Sequence, residues 1–261
     1  MNYIFFAQTD TGRVRQNNED SVTFDEATQL AILADGMGGY NAGEIASGMA
    51  TAFIKSELSR WLSEAGANAS LRQLRRAIEV CVDNANRSIF NAAHGNQHYS
   101  GMGTTLVLAV FRGSRLLLGH IGDSRCYRLR GTEFLQISKD HSLLQEHLDA
   151  GLLTQQQAAA SPIKNLVTRA LGVEDATLLE LNEHQVEAND LYLICSDGLS
   201  DMVSDPTLAN ILNNGSSLAE MTAELVRIAN ENGGRDNISI LLAKASAAPV
   251  KRGLISRWLG K

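Results

Sequence analysis

The sequence predicts a layered α+β domain, and three observations support that prediction. Strand-like runs are numerous, about ten in all, and they do not alternate regularly with helices. Several are joined by tight turn signals that make hairpins, such as Arg130-Gly131-Thr132, so the strands pair antiparallel. Two long helical patterns need a sheet face to cover. At 261 residues with 44% hydrophobic residues, the chain can bury one sizeable core, and one domain is expected.

The strands are predicted from apolar or alternating runs bounded by glycine, aspartate or asparagine. In chain order they cover residues 3–9, 21–24, 30–34, 104–111, 115–121, 125–129, 133–137, 177–186, 191–195 and 238–243. The helices are predicted from apolar residues at helical spacing. They cover residues 42–61, 71–93, 143–150, 154–160, 206–213 and 218–232.

Composition and charge restrict the class of protein. The three cysteines are odd in number and widely separated, which favours buried thiols over disulfides or a zinc site. No apolar run approaches the ~18 residues of a membrane span, and the first residues lack a basic signal-peptide region, so a cytoplasmic protein is predicted. Acidic residues outnumber basic ones by 29 to 23, and five of the basic residues follow position 243. The acidic body argues against sequence-independent nucleic-acid binding.

Six carboxylates stand at the ends of predicted strands, four of them beside glycine-rich turns. They are Glu19, Asp20, Asp35, Asp123, Asp197 and Asp236. Carboxylates at the ends of core strands are unfavourable unless they are paired or liganded, and few cations lie nearby in sequence. Hard oxygen ligands select Mg²⁺ or Mn²⁺, and converging aspartates can hold two ions about 3.5–4 Å apart. The alternative is that these residues only form turns.

Arg15 lies a few residues before Glu19 and Asp20. A guanidinium beside a carboxylate-bound metal centre is suited to grip a phosphate through its bidentate fork. The alternative for an arginine near acids is an ordinary salt bridge.

Seven short motifs, in order over residues 15–240, resemble the PP2C (PPM) family of metal-dependent Ser/Thr protein phosphatases, in its compact bacterial form. These are Arg15 to Asp20 with Ser21, Ala34-Asp35-Gly36-Met37-Gly38-Gly39, Ser100-Gly101-Met102-Gly103-Thr104-Thr105, Gly122-Asp123-Ser124-Arg125, Asp140-His141-Ser142, Ser196-Asp197-Gly198-Leu199 and Gly233-Gly234-Arg235-Asp236-Asn237-Ile238. The resemblance implies a four-layer α-β-β-α sandwich of two antiparallel sheets flanked by helices. It places the metals in a cleft at one end.

The resemblance also implies a role for each site residue. Asp35 would bridge two Mn²⁺ or Mg²⁺ ions, the carbonyl of Gly36 would complete one, and Asp197 and Asp236 would ligate the other. Glu19 and Asp20 would hold metal-bound waters, and Asp123 with Asp197 would hold a third, weaker ion. Asn237 would orient Asp236, and Arg15 would bind the substrate phosphate.

The implied reaction is hydrolysis of phosphoserine and phosphothreonine by a water that two cations activate, without a phosphoenzyme. Animal members carry a histidine after the Asp-Gly pair, proposed as general acid, where this chain has Met37. Two candidates for the proton donor remain: a water on the third metal at Asp123, and His141. The alternative for His141 is a purely structural histidine.

The chain is divided into a catalytic domain, residues 1–243, and a basic tail, residues 244–261. Within the domain, residues 141–171 match the family's variable flap, expected either to select substrates or to form an ordinary helical hairpin. Apolar residues of the tail, Leu254, Ile255, Trp258 and Leu259, fall on one helical face among basic residues. The tail can therefore dock weakly on an anionic membrane or a partner protein, or be a frayed end.

The leading hypothesis is a phosphatase that counteracts a bacterial Ser/Thr kinase, acting as a monomer on phosphorylated proteins that include the kinase. One alternative is a catalytically weak PP2C-fold regulator that binds phosphoproteins or a kinase; such proteins usually lose metal ligands, whereas Asp35, Asp197 and Asp236 are present. Another is a phosphatase dedicated to one small regulatory protein.

Overall fold

A computed structural model describes residues 1–39, 42–65, 68–154, 157–158 and 166–247 of the chain. Its strands are β1 Asn2–Asp10, β2 Asp20–Asp25, β3 Leu30–Met37, β4 Gly103–Thr104, β5 Leu106–Arg112, β6 Arg115–Ile121, β7 Arg125–Arg130, β8 Glu133–Gln136, β9 Glu180–Gln185, β10 Leu191–Cys195 and β11 Ile238–Ser246. Its helices are α1 Ala42–Ala65, α2 Leu71–Gly95, α3 Leu143–Asp149, α4 Asp197–Ser200, α5 Asp205–Asn214 and α6 Leu218–Glu231, with a 3₁₀ turn at Gln97–Tyr99. No helix of the described ranges is both long and apolar enough to span a membrane.

The strands form two antiparallel sheets. The first has the order β1-β11-β10-β7-β8, and the second has the order β2-β3-β5-β6-β9, with β4 paired to β3. Neighbouring strands run in opposite directions, so the end of one lies beside the start of the next. The end of β3, the start of β2 and the end of β6 therefore meet at one edge of the second sheet. The end of β10 and the start of β11 meet likewise in the first.

Three apolar clusters hold four layers together. Along β3, Leu30 and Ile32 pack outward against α1 and α2, whereas Ala31 and Leu33 point inward between the sheets. The outer face of the first sheet packs on α5 and α6, for example through Leu193. Both faces of the central strands are buried, which explains their nearly continuous apolar sequence. The predicted α-β-β-α sandwich is confirmed.

Several element boundaries differ from the predictions for local reasons. The run 104–111 is interrupted at Thr105, whose backbone N–H donates to the Asp35 carbonyl at 2.8 Å instead of continuing one strand. Strand β9 begins at Glu180 rather than at residue 177. Helix α4 was not predicted, because four residues are too short to show a periodicity. The helix predicted at 154–160 falls mostly outside the described residues.

Strand β11 also extends beyond the predicted domain end. It continues to Ser246, which pairs with Asn2 of β1. The sheet thus includes the first three residues of the predicted tail, and residues 248–261 lie outside the described part of the chain. The domain boundary at 243 stays a prediction.

Candidate active site

A pocket of about 230 Å³ opens where the two sheets end together. Its lining residues are Arg15, Glu19, Asp35, Gly36, Met37, Gly38, Thr105, Asp123, Val167, Asp197 and Asp236. Seven of the predicted site residues line it: Arg15, Glu19, Asp35, Gly36, Asp123, Asp197 and Asp236. Asp20 lies opposite Asp35 in the strand register. Asn237 joins the loops beside the pocket, and His141 is not among the lining residues.

Asp35 is fixed by its own backbone. Its N–H donates to the Thr105 hydroxyl at 3.0 Å, and its carbonyl accepts from the Thr104 hydroxyl at 2.8 Å. Burial raises the pKa of the Asp35 carboxyl well above its usual range, and the negative charges of Asp20 and Asp197 raise it further. The carboxyl therefore keeps its proton to unusually high pH unless a cation compensates its charge.

The turn after Asp35 requires glycine because two backbones meet there. A Cβ on Gly36 would lie 2.1 Å from the Gly43 carbonyl oxygen and 2.5 Å from that of Glu19. The Gly36 N–H donates to the Glu19 carbonyl at 3.1 Å. Helix α1 thus begins directly against the end of β3. Glu19 is brought to the pocket by the same contact.

Asp20 is buried with one carboxylate oxygen unsatisfied. Its Oδ2 accepts from the Ser196 hydroxyl at 2.8 Å, whereas Oδ1 has no partner of good hydrogen-bond geometry among the described residues, although Ser239 and Asp35 lie nearby. Burial raises the pKa of Asp20 to about 6, although the hydroxyl of Ser196 opposes the shift. A buried, unpartnered carboxylate oxygen is costly and points to a missing polar or cationic partner.

Asp197 and Asp123 follow strands of different sheets, and both line the pocket. Asp197 opens α4 just after β10, and Asp123 follows β6 at the Gly122 turn. Burial raises the pKa of Asp197 well above its usual value, with Asp123 and Asp236 adding repulsion. Burial likewise raises the pKa of Asp123 to about 6, and Asp140 adds to the shift. These shifts record carboxylates that lack a compensating charge.

Arg15 is the cation that lines this pocket. Its Nη2 donates to Oδ2 of Asp236 at 2.7 Å, and half of its side chain remains exposed. This hydrogen bond raises the pKa of Arg15 further. The salt bridge that the sequence left as an alternative is present, but the guanidinium keeps further N–H groups for a ligand.

Asn237 connects three segments around the pocket. Its side chain accepts from the Glu19 N–H at 2.8 Å and donates to the carbonyls of Thr11 and Asn17 at 3.0 and 2.9 Å. Its backbone N–H donates to Oδ1 of Asp236 at 2.8 Å. Its side chain therefore holds the loop that carries Arg15 and Glu19, and only its backbone orients Asp236. That loop contact could not be inferred from sequence neighbours.

His141 lies behind the pocket wall. Its Nδ1 accepts from the Gly122 N–H at 3.2 Å, so its Nε2 carries the proton and lies 3.3 Å from Glu180. Its backbone N–H donates to the Gly122 carbonyl at 2.9 Å. Burial lowers its pKa. The residue braces the turn before Asp123, a position that agrees with the structural alternative rather than with proton donation into the pocket.

His141 also belongs to a cluster that the sequence did not predict. Potential ligand atoms of His120, His141 and Glu180 lie within 4.8 Å of one another, and Nδ1 of buried His120 has no hydrogen-bond partner. The two imidazoles stack with centroids 4.8 Å apart and planes 13° apart. Their nitrogen lone pairs lie in two nearly parallel, separated planes, so one ion cannot lie in the plane of both rings without ring rotation. The β6–β9 register that joins these residues is a long-range contact, and no local motif signals it.

The pocket suits divalent cations better than any pairing within the protein. Its acids are oxygen donors from both sheets, several have raised pKa values, and Oδ1 of Asp20 lacks a partner. Among the described residues, neither histidine nor cysteine lines it. An all-oxygen set favours Mg²⁺ or Mn²⁺. The residues present therefore fit the ions that the sequence implies.

Two further cavities adjoin the pocket and differ in chemistry. One, of about 410 Å³, shares Asp123 and Asp197 with it and is also lined by Asp140, Asp201 and Asp205. The other, of about 430 Å³, shares Met37 and Val167 with it. Its lining combines six apolar residues with Thr168, Arg169, Glu174 and Thr177. A substrate in the pocket can therefore reach an acidic cavity on one side and an apolar groove on the other.

Comparison with known proteins agrees with this geometry. The family described as protein phosphatase 2C matches residues 8–243. The serine/threonine phosphatase stp of Listeria welshimeri is 35% identical over 240 residues, 91% of this chain and 94% of that protein. The serine/threonine protein phosphatase PstP of Mycobacterium tuberculosis is 40% identical over 92% of this chain and 44% of that protein.

One of the similar solved structures contains metal ions. The catalytic domain of a serine/threonine protein phosphatase PstP, in complex with two manganese ions, superposes with a TM-score of 0.80 at 37% identity. The match covers 94% of this chain and 99% of that chain.

Proposed function

The chain belongs to the protein phosphatase 2C family, and we propose that it hydrolyses phosphoserine and phosphothreonine in proteins with the help of divalent cations bound in the pocket. The observation that carries this proposal is the group of acids at the joint end of the two sheets. Mutual repulsion and burial leave Asp35 and Asp197 with strongly raised pKa values. Bound cations would stabilise the ionised form of such a group of carboxylates.

We assign each acid of the pocket a role in binding the metal ions or their waters. Asp35, at the centre, bridges two Mn²⁺ or Mg²⁺ ions, and the Gly36 carbonyl, Asp197 and Asp236 complete their coordination. Glu19 and Asp20 hold water near them, and Asp123 with Asp197 takes a third, weaker ion. When bound, the ions supply a nucleophilic water at neutral pH and compensate the charge of the phosphoryl group.

The protein's own groups bind and orient the phosphate. Arg15 is half exposed at the mouth, where its free N–H groups can grip two phosphoryl oxygens while Asp236 fixes its orientation. Asn237 supports the same loop. Arg15 therefore aligns the phosphorus for attack and offsets negative charge in the transition state.

Protonation of the leaving alkoxide is assigned to water on the Asp123 side of the pocket. Met37 has no ionisable proton to donate, and the Nε2 proton of His141 is directed to Glu180. His141 is instead a positioning residue for the Gly122–Asp123 turn.

The proposed substrates are products of Ser/Thr kinases, since phosphoryl transfer to serine or threonine makes these esters, and the kinase itself is among them. The protein acts as a cytoplasmic monomer, and residues 244–261 provide weak membrane or partner docking. These finer assignments rest on the sequence, and each stays a prediction.

The function is tested by phosphate release from phosphothreonine and phosphoserine peptides. Turnover is expected with Mn²⁺, is lost with excess chelator, and returns on adding Mn²⁺ or Mg²⁺. Asp197→Asn should lose at least about 10²-fold in kcat. The control Asp201→Asn changes a nearby exposed acid outside the proposed ligand set and should stay within about threefold of wild type.

The contrary result is a folded wild-type protein without turnover under any divalent cation. Binding of the phosphopeptide in that case would support the catalytically weak regulator instead.

A further inference from the structure

We propose that the apolar groove beside Met37 binds apolar side chains that flank the phosphorylated residue of the substrate. This proposal rests on the proposed function, because it names a preference of the same site. The groove's apolar lining residues are Met37, Val167, Ala170, Val173, Ala176 and Leu178.

The groove continues directly from the catalytic pocket. Met37 and Val167 line both, so the two spaces adjoin at these two side chains. A phosphoresidue in the pocket carries its neighbouring residues across these side chains. The occupant of the groove is therefore the substrate segment itself.

The groove exposes large apolar side chains to solvent. Leu178 is 76% exposed, more than any other large apolar side chain in the described ranges, and Val173 is 50% exposed. A cluster of exposed apolar residues at the mouth of a site marks a binding surface. The rim adds one basic and one acidic residue, Arg169 and Glu174, so it has no strong preference for charge.

The groove wall is held in place by the body of the protein. Buried Asn86 of α2 accepts from the Gly172 N–H at 2.7 Å and donates to the carbonyls of Glu174 and Asp175 at 3.0 and 3.1 Å. Leu171 exchanges backbone hydrogen bonds with Thr104 at 2.8 and 3.1 Å. A surface fixed in this way needs little ordering when it binds a ligand.

Gly103 brings the two sides of this wall together. A Cβ at that position would lie 2.7 Å from Cγ2 of Val173 and 3.6 Å from Cγ of Met37. The absence of a side chain at Gly103 therefore lets Val173 lie close to the end of β3. Met37 and Val173 both contribute apolar surface to the groove.

The acidic cavity lies on the other side of the catalytic pocket, so we expect the preference for apolar residues on only one side of the phosphorylated residue. Five aspartates line that cavity, whereas its apolar residues are Leu144, Leu148 and Ala158, so apolar side chains find less apolar surface there than in the groove. The substrate segment that enters the apolar groove is thus on one side of the phosphoresidue. The predicted preference is for leucine, valine or phenylalanine over serine or aspartate in that flank.

The test compares phosphothreonine peptides of equal length whose flanks carry leucine, serine or aspartate on either side. When the changed residue lies on one particular flank, wild type should hydrolyse the leucine peptide with a kcat/KM about tenfold higher than the serine or aspartate peptide. The difference should arise from a lower KM. Leu178→Ser and Val173→Ser should remove most of that advantage. Leu178→Arg should shift the preference towards the aspartate peptide.

Two controls show whether the groove itself causes the preference. Leu135→Ser changes an exposed leucine of β8, on the other sheet, and should behave as wild type. N-acetyl-phosphothreonine amide has no flanking residues, so the Leu178 variants, which change a residue outside the catalytic pocket, should hydrolyse it at the wild-type rate. If wild type with Mn²⁺ does not hydrolyse this compound or any of the phosphothreonine peptides, the proposed function itself is refuted.

Equal kcat/KM values for all flanks, or an unchanged preference in Leu178→Ser and Leu178→Arg, would overturn the proposal. A concentration-dependent dimer of wild type that Leu178→Arg dissociates, without any peptide effect, would assign the groove to a second copy of the chain instead.

Discussion

Arg15 performs two tasks that depend on the shape of its guanidinium. One nitrogen donates to Asp236, and the side chain, which lines the pocket, is half exposed. The exposed ion pair itself adds little stability. Its value is to fix the orientation of the remaining N–H groups.

Arg15→Lys should therefore lower kcat/KM for a phosphothreonine peptide by about 10-fold, and Arg15→Ala by about 10²-fold, because lysine keeps the charge but not the fork. Steady-state kinetics measure both. Arg13→Ala, which changes the neighbouring exposed arginine, should have less than a threefold effect. Equal activity of Arg15→Ala and wild type would contradict the assignment.

Asp20 makes the metal-free protein sensitive to pH. Burial raises its pKa from 3.8 to about 6, so its protonated form is favoured on folding. Its contribution to stability is fully present below about pH 4 and is lost as pH rises through about 6. Asp20→Asn should therefore stabilise the metal-free protein at pH 7.5, by at most about 3 kcal/mol, and have little effect at pH 4.

Urea unfolding at the two pH values, with chelator present, measures the effect of Asp20→Asn. An Asp20→Asn variant less stable than wild type at pH 7.5 would contradict it.

The positions of the pocket acids were largely predictable because each stands beside a core strand and most beside a glycine. Asp35 and Asp197 illustrate this: each follows an apolar run and precedes a glycine. The partners of Asn237 and the His120–Glu180 contact were not predictable, since they depend on strand register and loop packing.

At the scale of elements, α2 supports the groove as well as the core. Ser70 and Gln73 form a capping box at its start, and Asn86 on its buried face holds the loop after Leu171. A glycine is needed in that loop: Gly172 has φ +83°, and a Cβ there would lie 2.2 Å from Cγ2 of Ile89.

Asn86→Ala should destabilise the protein by about 1–3 kcal/mol, because it leaves the Gly172 N–H and two carbonyls without their partner. Chemical unfolding measures the loss. Asn84→Ala, an exposed position on the same helix, should change stability by less than about 0.5 kcal/mol. An equal loss in both variants would show that the loop contacts carry no stability.

The positions of most elements were predictable from periodicity, including both long helices. The break at Thr105 was not, because its cause is a hydrogen bond to Asp35 in another strand. Helix α4 was missed because Asp197 and Gly198 read as a turn in sequence.

At the scale of the whole molecule, the pocket acids come from both sheets. Asp35 lies near the end of β3 and Asp123 follows β6, both strands of the second sheet, whereas Asp197 and Asp236 flank strands of the first. Cations bound between them cross-link the two halves of the sandwich. The layered α+β architecture was predictable from the sequence. The edge at which the two sheets end together was not, because it depends on the order of the strands in each sheet.

Mn²⁺ should therefore raise the unfolding temperature of the chelator-treated protein, with about 2.7 kcal/mol of added stability when free metal is 100 times Kd. Scanning calorimetry at several Mn²⁺ concentrations measures the shift. Asp35→Asn should abolish most of the shift. A shift of equal size in this variant would mean that the stabilising ions bind elsewhere.

The proposed activity depends above all on the binding of two cations by the acids at the joint end of the sheets. Equilibrium dialysis of Mn²⁺ against the metal-free protein, with free metal kept low enough to leave weak sites empty, tests this binding most directly. We expect two ions per chain for wild type, two for Asp201→Asn and fewer than one for Asp35→Asn. Two ions retained by Asp35→Asn would contradict the assignment.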